Sequence, residues 1–419
     1  MIRAVKGTRD ILPPSSGVWN RVESVARAVF QAYNYQEIRT PVFEETTLFA
    51  RGVGQDTDIV GKEMYTFEDR DGSSLTLRPE ATASVMRAYL EHHLDQSPGL
   101  KKLYYIGPMF RRERPQKGRY RQFCQIGAEA IGSTAAALDA EVIEMAIEIL
   151  KGVGIEGFEL LLNSVGCSQC RPKFVAELRK ALEGVASKMC ADCRRRMETN
   201  PLRVLDCKVP EDQPVIDGLP SILDHLCEAC RAHFDAVRGY LREREIDFQA
   251  RPRLVRGLDY YMRTTFEIVH GALGAQNSIL GGGRYDGLAE SIGSRAPAPG
   301  IGFSIGEDRL VMRVEESQPA SAGPSLDLFI APLGETAFRH SALLARSLRR
   351  SGVSVELAME GKLKRALEIA NKAGAKFSLI IGDDEIASGT YSLKDMETGE
   401  QKAVNRVELF ERFGYARNI

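Results

Sequence analysis

The sequence predicts an α+β protein: an antiparallel sheet flanked by helices, interrupted by a helical insertion and followed by a small α/β domain. Three observations carry this. Two alternating apolar runs flank a basic loop between Tyr104 and Glu129, the pattern of a β-hairpin. A Cys- and Arg-rich stretch with helical spacing, broken at Pro201, Pro210, Pro214 and Pro220, separates strand-like sequence on either side of it. Beyond a Ser-, Pro- and Gly-containing linker at 315–325, strands and helices alternate, which calls for parallel pairing with helical crossovers.

Taken in order, residues 20–30 have helical spacing, and 37–43 read as a short strand interrupted by Pro41. Residues 75–80 alternate, with Thr76, Arg78 and Glu80 on one side, and run into a helix over 81–92. The hairpin follows, then a long helix over about 135–151. Strand-like sequence returns at 254–269, and after a Gly-rich run at 281–287 a strand turns into a helix over 299–310. The last part reads as strand 326–332, helix 335–350, strand 353–359, helix 362–373, strand 377–382 and a hairpin around 397–400. The expected domains are a core in two parts, 1–166 and 242–316, an insertion at 167–241, and a C-terminal domain at 325–419.

At 419 residues the chain exceeds what one core usually organises. A 43% apolar and 27% charged composition is that of a globular protein, and no apolar run approaches a membrane span. The first seven residues lack the apolar core of a secretory signal, so a cytoplasmic protein is expected. A net charge of -1 neither supports nor excludes a nucleic-acid partner; in residues 325–419 alone, 14 Lys and Arg stand against 13 Asp and Glu.

The hairpin loop holds six Arg or Lys and one Glu, which suits an anionic ligand. In the second run, a period of two places Arg119, Arg121, Phe123, Gln125, Gly127 and Glu129 on one face and Tyr120, Cys124, Ile126, Ala128 and Ala130 on the other. The first face mixes an aromatic with polar anchors, as a pocket for a base, a phosphate and a polar small molecule would. Elsewhere, Glu80 with Thr82, Arg256 with Tyr260 and Tyr261, and Arg309 offer further polar groups at strand-like spacing. No Ser-His-Asp or Cys-His arrangement is evident, so the chemistry implied is positioning and charge neutralisation, as in nucleotidyl transfer. The run Gly281 to Gly287 lacks the Lys-Ser/Thr of a phosphate loop and reads as a tight turn or close packing.

These segments together resemble the histidyl-tRNA synthetase family. The blocks that carry the resemblance are Lys6-Gly7-Thr8-Arg9-Asp10-Ile11-Leu12-Pro13, Thr76-Leu77-Arg78-Pro79-Glu80, the hairpin from Arg111 to Glu129, Leu254-Val255-Arg256-Gly257-Leu258-Asp259-Tyr260-Tyr261, Gly282-Gly283-Arg284-Tyr285-Asp286-Gly287 and the stretch from Gly302 to Arg309. They occur in the family's order and span nearly the whole chain. The resemblance implies a class II synthetase sheet, a C-terminal anticodon-binding domain, ATP and Mg²⁺ as cofactors, L-histidine and tRNA as substrates, and a homodimer formed near Pro41. It further implies that Glu80 and Thr82, with Ala81 between them and Gln125 assisting, hold the histidine amino group. Glu129 and Tyr261 would read the imidazole and Tyr260 would line the pocket. Arg256 and Arg111 would be catalytic, neutralising the histidine carboxylate and the ATP α-phosphate. Phe123 and Arg309 would sandwich the adenine, and Arg114 and Gln116 would face the tRNA acceptor end. One departure stands out: Ala81 occupies a position where the family commonly has Gly, so a methyl group could crowd the amino-group site.

Six of eight Cys form Cys-x-x-Cys pairs. Cys167/Cys170 and Cys190/Cys193 are nineteen residues apart, near four-thiolate zinc spacing, with Cys227/Cys230 left over or substituting for one pair. The family has no general metal requirement there, and no metal ligand is assigned. Two other functions compete: a synthetase-like regulatory subunit of ATP phosphoribosyltransferase that senses histidine, and a general RNA-binding protein. The first should lack the C-terminal domain; the second leaves Glu80, Glu129 and the tyrosine pair without a use.

Overall fold

Apolar side chains at Val18, Trp19, Val22, Ala26 and Phe30 make one stripe along the first helix, Ser15–Ala32, and that stripe is its buried face. The stripe joins a core formed with the helix Ala136–Gly152 and one face of a large sheet. The computed structural model describes residues 2–55, 57–271, 278–317, 326–359 and 362–414. The chain divides into two units, Met1–Pro319 and Ala320–Ile419. None of the described helices is long and apolar enough to cross a membrane.

Among the described residues of the first unit, eight strands form the large sheet. Their spatial order is Gln36–Glu37, Lys101–Phe110, Gln122–Ile131, Gly300–Gly306, Ser278–Arg284, Met262–His270, Phe158–Ser164 and Gln249–Ala250. The six inner strands pair antiparallel, and the two-residue strands at the edges pair parallel. Alternation divides each strand between two faces. Ile301, Phe303 and Ile305 enter the core beneath the helices together with Ile126, Ala128 and Ala130, while Gly302, Ser304, Gln125 and Glu129 face the other way.

Three expectations change. The strand expected at 37–43 is two strands in different sheets, because Pro41 cannot donate to a ladder: Gln36–Glu37 joins the large sheet and Phe43–Glu45 a three-stranded one with Ser74–Leu77 and Tyr65–Glu68. The strand expected from 254 begins only at Met262, so Arg256, Tyr260 and Tyr261 lie on an irregular loop. The linker expected from 315 loses its first residues to the helix Glu307–Ser317, and its remainder, 318–325, lies outside the described residues.

The stretch 167–241 is helical, with Arg171–Glu183, Ala191–Thr199 and Glu228–Glu243 as its longer helices and short turns between them at the prolines. Its apolar side chains, Phe174, Leu178, Leu182 and Val237 among them, are continuous with the core of the first unit.

In the second unit, Val355–Leu357, Leu328–Pro332 and Phe377–Ile381 run parallel, and the hairpin Thr390–Asp395 and Gln401–Asn405 extends the sheet antiparallel. Leu328 and Ile330 pack under the helix Glu335–Arg350, and Phe329 and Ala331 against Leu363–Lys372. Both faces are covered, as a parallel sheet requires.

Candidate functional site

The cleft lies on the sheet face opposite the helices, and its floor is poor in side chains. Gly281 and Gly302 lie there on neighbouring strands, Gly281 opposite Ser304 and Gly302 opposite Gly283. A Cβ on Gly281 would overlap the Arg256 guanidinium, and one on Gly302 would overlap the Glu129 carboxylate. Glycine at these positions lets charged side chains lie flat on the sheet. The Gly-rich run is therefore a central strand with closely approaching neighbours, the packing reading rather than a phosphate loop.

The cleft has a volume of about 910 Å³. Glu80, Thr82, Arg111, Phe123, Gln125, Glu129, Arg256, Tyr260, Tyr261 and Arg309 all line it. Three expected site residues do not. Ala81 caps the helix Thr82–Glu91 with an ordinary right-handed backbone (φ -108°, ψ -21°), and its methyl packs beside Val85, Met86 and Tyr89. Nothing about that backbone requires glycine, which removes the concern its methyl raised. Arg114 and Gln116 are exposed on the hairpin loop, where Gln116 bridges to Arg119. Tyr120, expected on the core face, lines the cleft instead, because strict alternation starts only at Gln122.

Two carboxylates sit at the buried end. Glu80 accepts N–H bonds from Thr82 at 2.7 Å and Ala83 at 3.0 Å, so it also satisfies the start of the helix that follows it. Burial raises its pKa against the pull of those two N–H groups. Glu129 accepts from the Thr82 hydroxyl at 2.7 Å and from the Tyr285 hydroxyl at 2.6 Å. Burial pushes its carboxyl up to about 8, although both hydrogen bonds favour the charged form. The hydroxyls of Tyr260, Tyr261 and Tyr285 are all raised by burial and stay protonated donors; that of Tyr260 lies 3.4 Å from Glu80.

Arg111, Arg256 and Arg309 bring guanidinium groups to the same cleft. Arg256 pairs with Glu267 at 3.2 Å; burial is the largest single influence and pulls its pKa down, but Glu267 together with Tyr261, Asp206 and Tyr260 outweighs it and raises the pKa. Its Nε and the Gln125 Oε1 are buried without a hydrogen-bond partner among the described residues. Such atoms are costly in a closed interior and inexpensive where a ligand supplies the partner. Arg111 donates to the Pro79 carbonyl at 2.9 Å and lies 5.3 Å over the Phe123 ring. Arg309 donates to the carbonyls of Gly118 at 3.2 Å and Ser278 at 3.0 Å. The N-terminal motif supports this end: Arg9 pairs with Asp308 at 2.8 Å, and Asp308 accepts from the Cys124 N–H at 2.9 Å.

Sequence reasoning missed Tyr285 as a partner of Glu129 and Glu267 as a partner of Arg256. A usable signal was present: Glu267 aligns across the ladder with Gly281, and Glu129 with Gly302, so a strand rich in alternate glycines marks where a facing polar group needs room.

Of the pairings the spacing left open, the structure has Cys227/Cys230 in place of Cys190/Cys193. Cys167 and Cys170 meet Cys227 and Cys230, not Cys190 and Cys193; the latter two meet Cys207 and Asp212. The reason is that residues 171–226 leave and rejoin the core at neighbouring points, so sequence distance misjudges which pairs are close.

A cleft that places paired carboxylates beside several guanidinium groups, in a chain that also carries a separate five-stranded α/β unit, defines the class of an aminoacyl-tRNA synthetase. The family model described as Histidyl-tRNA synthetase matches residues 7–310, and that described as Anticodon binding domain matches 327–414. The chain is 72% identical over 418 residues to a histidine–tRNA ligase of Solibacter usitatus, covering 100% of both, and 57% identical over 421 residues to one of Koribacter versatilis, covering 98% of this chain and 95% of the relative. Among solved structures, the apo histidyl-tRNA synthetase of S. aureus superposes with a TM-score of 0.83 at 38% identity, covering 99% of this chain and 100% of that one. The chain belongs to the histidyl-tRNA synthetase family.

Proposed function

We propose that this chain attaches L-histidine to its cognate tRNA in two steps inside the cleft. In the first, a histidine carboxylate oxygen attacks the α-phosphorus of ATP; an O–P bond forms, the bond to pyrophosphate breaks, and histidyl-adenylate results. In the second, a hydroxyl of the tRNA's terminal ribose attacks the acyl carbon and AMP leaves.

The observation that carries this reading is the buried Glu129 carboxyl, held by Thr82 and Tyr285 beside Glu80 in a cleft that also holds the guanidinium groups of Arg111, Arg256 and Arg309. A carboxyl held at a fixed angle in an apolar surrounding suits an imidazole N–H and leaves a partner unpaired when an apolar amino acid enters. Glu80, Thr82 and the unpartnered Gln125 oxygen suit the α-amino group, with Tyr261 beside the imidazole and Tyr260 closing the wall. Bringing a carboxylate to a phosphate opposes like charges, and Arg256 and Arg111 screen them. Phe123 and Arg309 offer a ring and a guanidinium plane for adenine. Mg²⁺ would be carried mainly by the ATP phosphates, where it adds positive charge; Glu113 and Glu267 are the carboxylates of the cleft placed among guanidinium groups. Arg114 and Gln116, exposed on the hairpin loop, are left to meet the tRNA acceptor end, and residues 325–419 the anticodon.

A homodimer is the expected assembly. In the three-stranded sheet after Pro41, Phe43, Tyr65, Phe67, Leu75 and Leu77 share one face, with Phe43 49% and Phe67 46% exposed. Such a face is one a second copy would cover. A cytoplasmic location is expected, where tRNA, ATP and histidine are available together. The regulatory-subunit alternative is not favoured: full-length identity to ligases and the matched anticodon-binding unit both argue against it.

Histidine-dependent exchange of pyrophosphate into ATP tests the reading. The wild-type chain should perform it, and Arg256→Ala should abolish it with fold and assembly retained. Exchange at wild-type rates in that variant would overturn the role given to Arg256, and no exchange by the wild type would overturn the function.

A further inference from the structure

We propose that the stretch 167–241 is a two-zinc module, with a four-thiolate site made by Cys167, Cys170, Cys227 and Cys230 and a second site made by Cys190, Cys193, Cys207 and Asp212. In each set the four candidate ligand atoms lie within 4.8 Å of one another. Zinc–sulfur bonds near 2.3 Å put the sulfurs of a tetrahedral site about 3.8 Å apart. The sulfur separations in the first set are 3.7 Å for Cys167–Cys170, 3.8 Å for Cys167–Cys227 and 3.8 Å for Cys170–Cys230. A disulfide needs about 2.05 Å, so these are not bonded pairs.

The second set has the same character with one hard ligand. Cys190 and Cys207 sulfurs are 4.0 Å apart, and the Cys207 sulfur is 3.2 Å from Asp212 Oδ2. Asp212 is only 1% exposed, and its other partner is the Cys190 N–H, at 3.0 and 3.3 Å. A buried carboxylate against three sulfurs is an arrangement that a cation completes.

Backbone geometry supports thiolates at both places. Gln169 N–H points at the Cys167 sulfur at 3.4 Å and Cys167 N–H at the Cys170 sulfur at 3.2 Å. Cys193 N–H points at the Cys190 sulfur and Val209 N–H at the Cys207 sulfur, each at 3.4 Å. Such outer bonds orient ligands and favour the charged sulfur. Soft sulfur donors in a tetrahedral set select zinc over magnesium or calcium.

The two sites have different work. The first sits where the chain leaves the large sheet after Phe158–Ser164 and returns through Glu228–Glu243, so its metal closes the base of the insertion. Cys190 and Cys207 of the second site line the cleft itself, so its metal holds that wall in shape. Both claims are independent of the reaction proposed above.

The test uses the full chain, purified without chelator or polyhistidine tag, and reads metal content by elemental analysis. About two zinc ions per chain are expected. Each double variant, Cys167→Ser with Cys227→Ser or Cys190→Ser with Cys207→Ser, should lose one, and a strong chelator should lower the melting temperature. Cobalt substitution should give the absorption of tetrahedral thiolate sites, stronger from the first site than from the second. Wild-type protein that is folded, metal-free and indifferent to chelator overturns the proposal without any variant, so a misfolding variant does not rescue it. A Cys190/Cys207 double variant that keeps the full wild-type zinc content overturns the second site; iron in place of zinc overturns the choice of metal.

Discussion

Replacing Glu129 by Gln keeps shape and removes a titration, so it isolates what the buried carboxyl does for histidine. Its pKa in the empty cleft, pushed up from 4.5 to about 8, means that ionising it there costs about 5 kcal/mol more than in water, at about 1.4 kcal/mol per unit. At pH 7 the carboxyl is therefore neutral in roughly nine of ten molecules. Free histidine has an imidazole that titrates near 6.5. Between about 6.5 and 8 the cleft brings one proton and the ligand none, and the bound pair shares that one proton. Affinity should be level across this window. Above about 8 the site has lost its proton and affinity should fall; below about 6.5 the ligand carries a surplus proton and affinity should fall again. Gln cannot lose a proton, so the variant should keep only the part of the alkaline limb that comes from the ligand's own α-amino group. It should also bind histidine about 10- to 150-fold more weakly at pH 7, the equivalent of a charge-assisted hydrogen bond of about 1.5–3 kcal/mol. Calorimetric titration of histidine from pH 5.5 to 9.5 reads both effects. Unchanged affinity, or an alkaline limb in the variant as steep as that of the wild type, would refute the argument. Stability against pH would be a poorer readout: a raised acid pKa favours the fold below 4.5 and the benefit fades as pH rises through 8, but Glu307, also raised to about 8 by burial, contributes the same slope.

Two further outcomes follow from packing. Arg284 and Asp139 are both fully buried and paired at 2.8 Å, with His233 2.9 Å from the same carboxylate; Arg284→Ala leaves that charge without its main partner and should cost about 3–5 kcal/mol in urea unfolding. If Phe43 is covered by a second copy, its remaining half-exposed surface contributes about 1 kcal/mol per copy, and Phe43→Glu should shift sedimentation toward the monomer; an unshifted dimer would place the interface elsewhere.

Periodicity made the second unit legible almost element by element: the helix expected at 335–350 is the helix observed, because an amphipathic helix between buried strands declares both its ends. The cleft was legible through charge. Glu80, Glu129, Arg111, Arg256 and Arg309 are too polar for their apolar surroundings unless they converge, and all five line one cavity. What stayed hidden depends on closeness in space between segments far apart in sequence. Tyr285 reads as part of a turn until the hairpin brings Glu129 within 2.6 Å of its hydroxyl. Arg256 reads as a strand residue because its neighbours are apolar, yet the strand starts six residues later. The Cys sets could not be paired by counting, since Cys207 belongs to no Cys-x-x-Cys motif and Asp212 carries no signature.

The meeting of Cys167 and Cys170 with Cys227 and Cys230 has a consequence for how such an enzyme can vary. The chain departs and re-enters at almost one point, so the excursion between is a loop tied at its neck. Phe174, Leu178 and Leu182 still pack into the main core and Cys190 and Cys207 line the cleft, so length can change in the turns between the helices while the helices themselves are kept. The helix that begins just past the neck is held too: His233 reaches Asp139 in the main core, so that helix stays with the catalytic body whatever becomes of the turns.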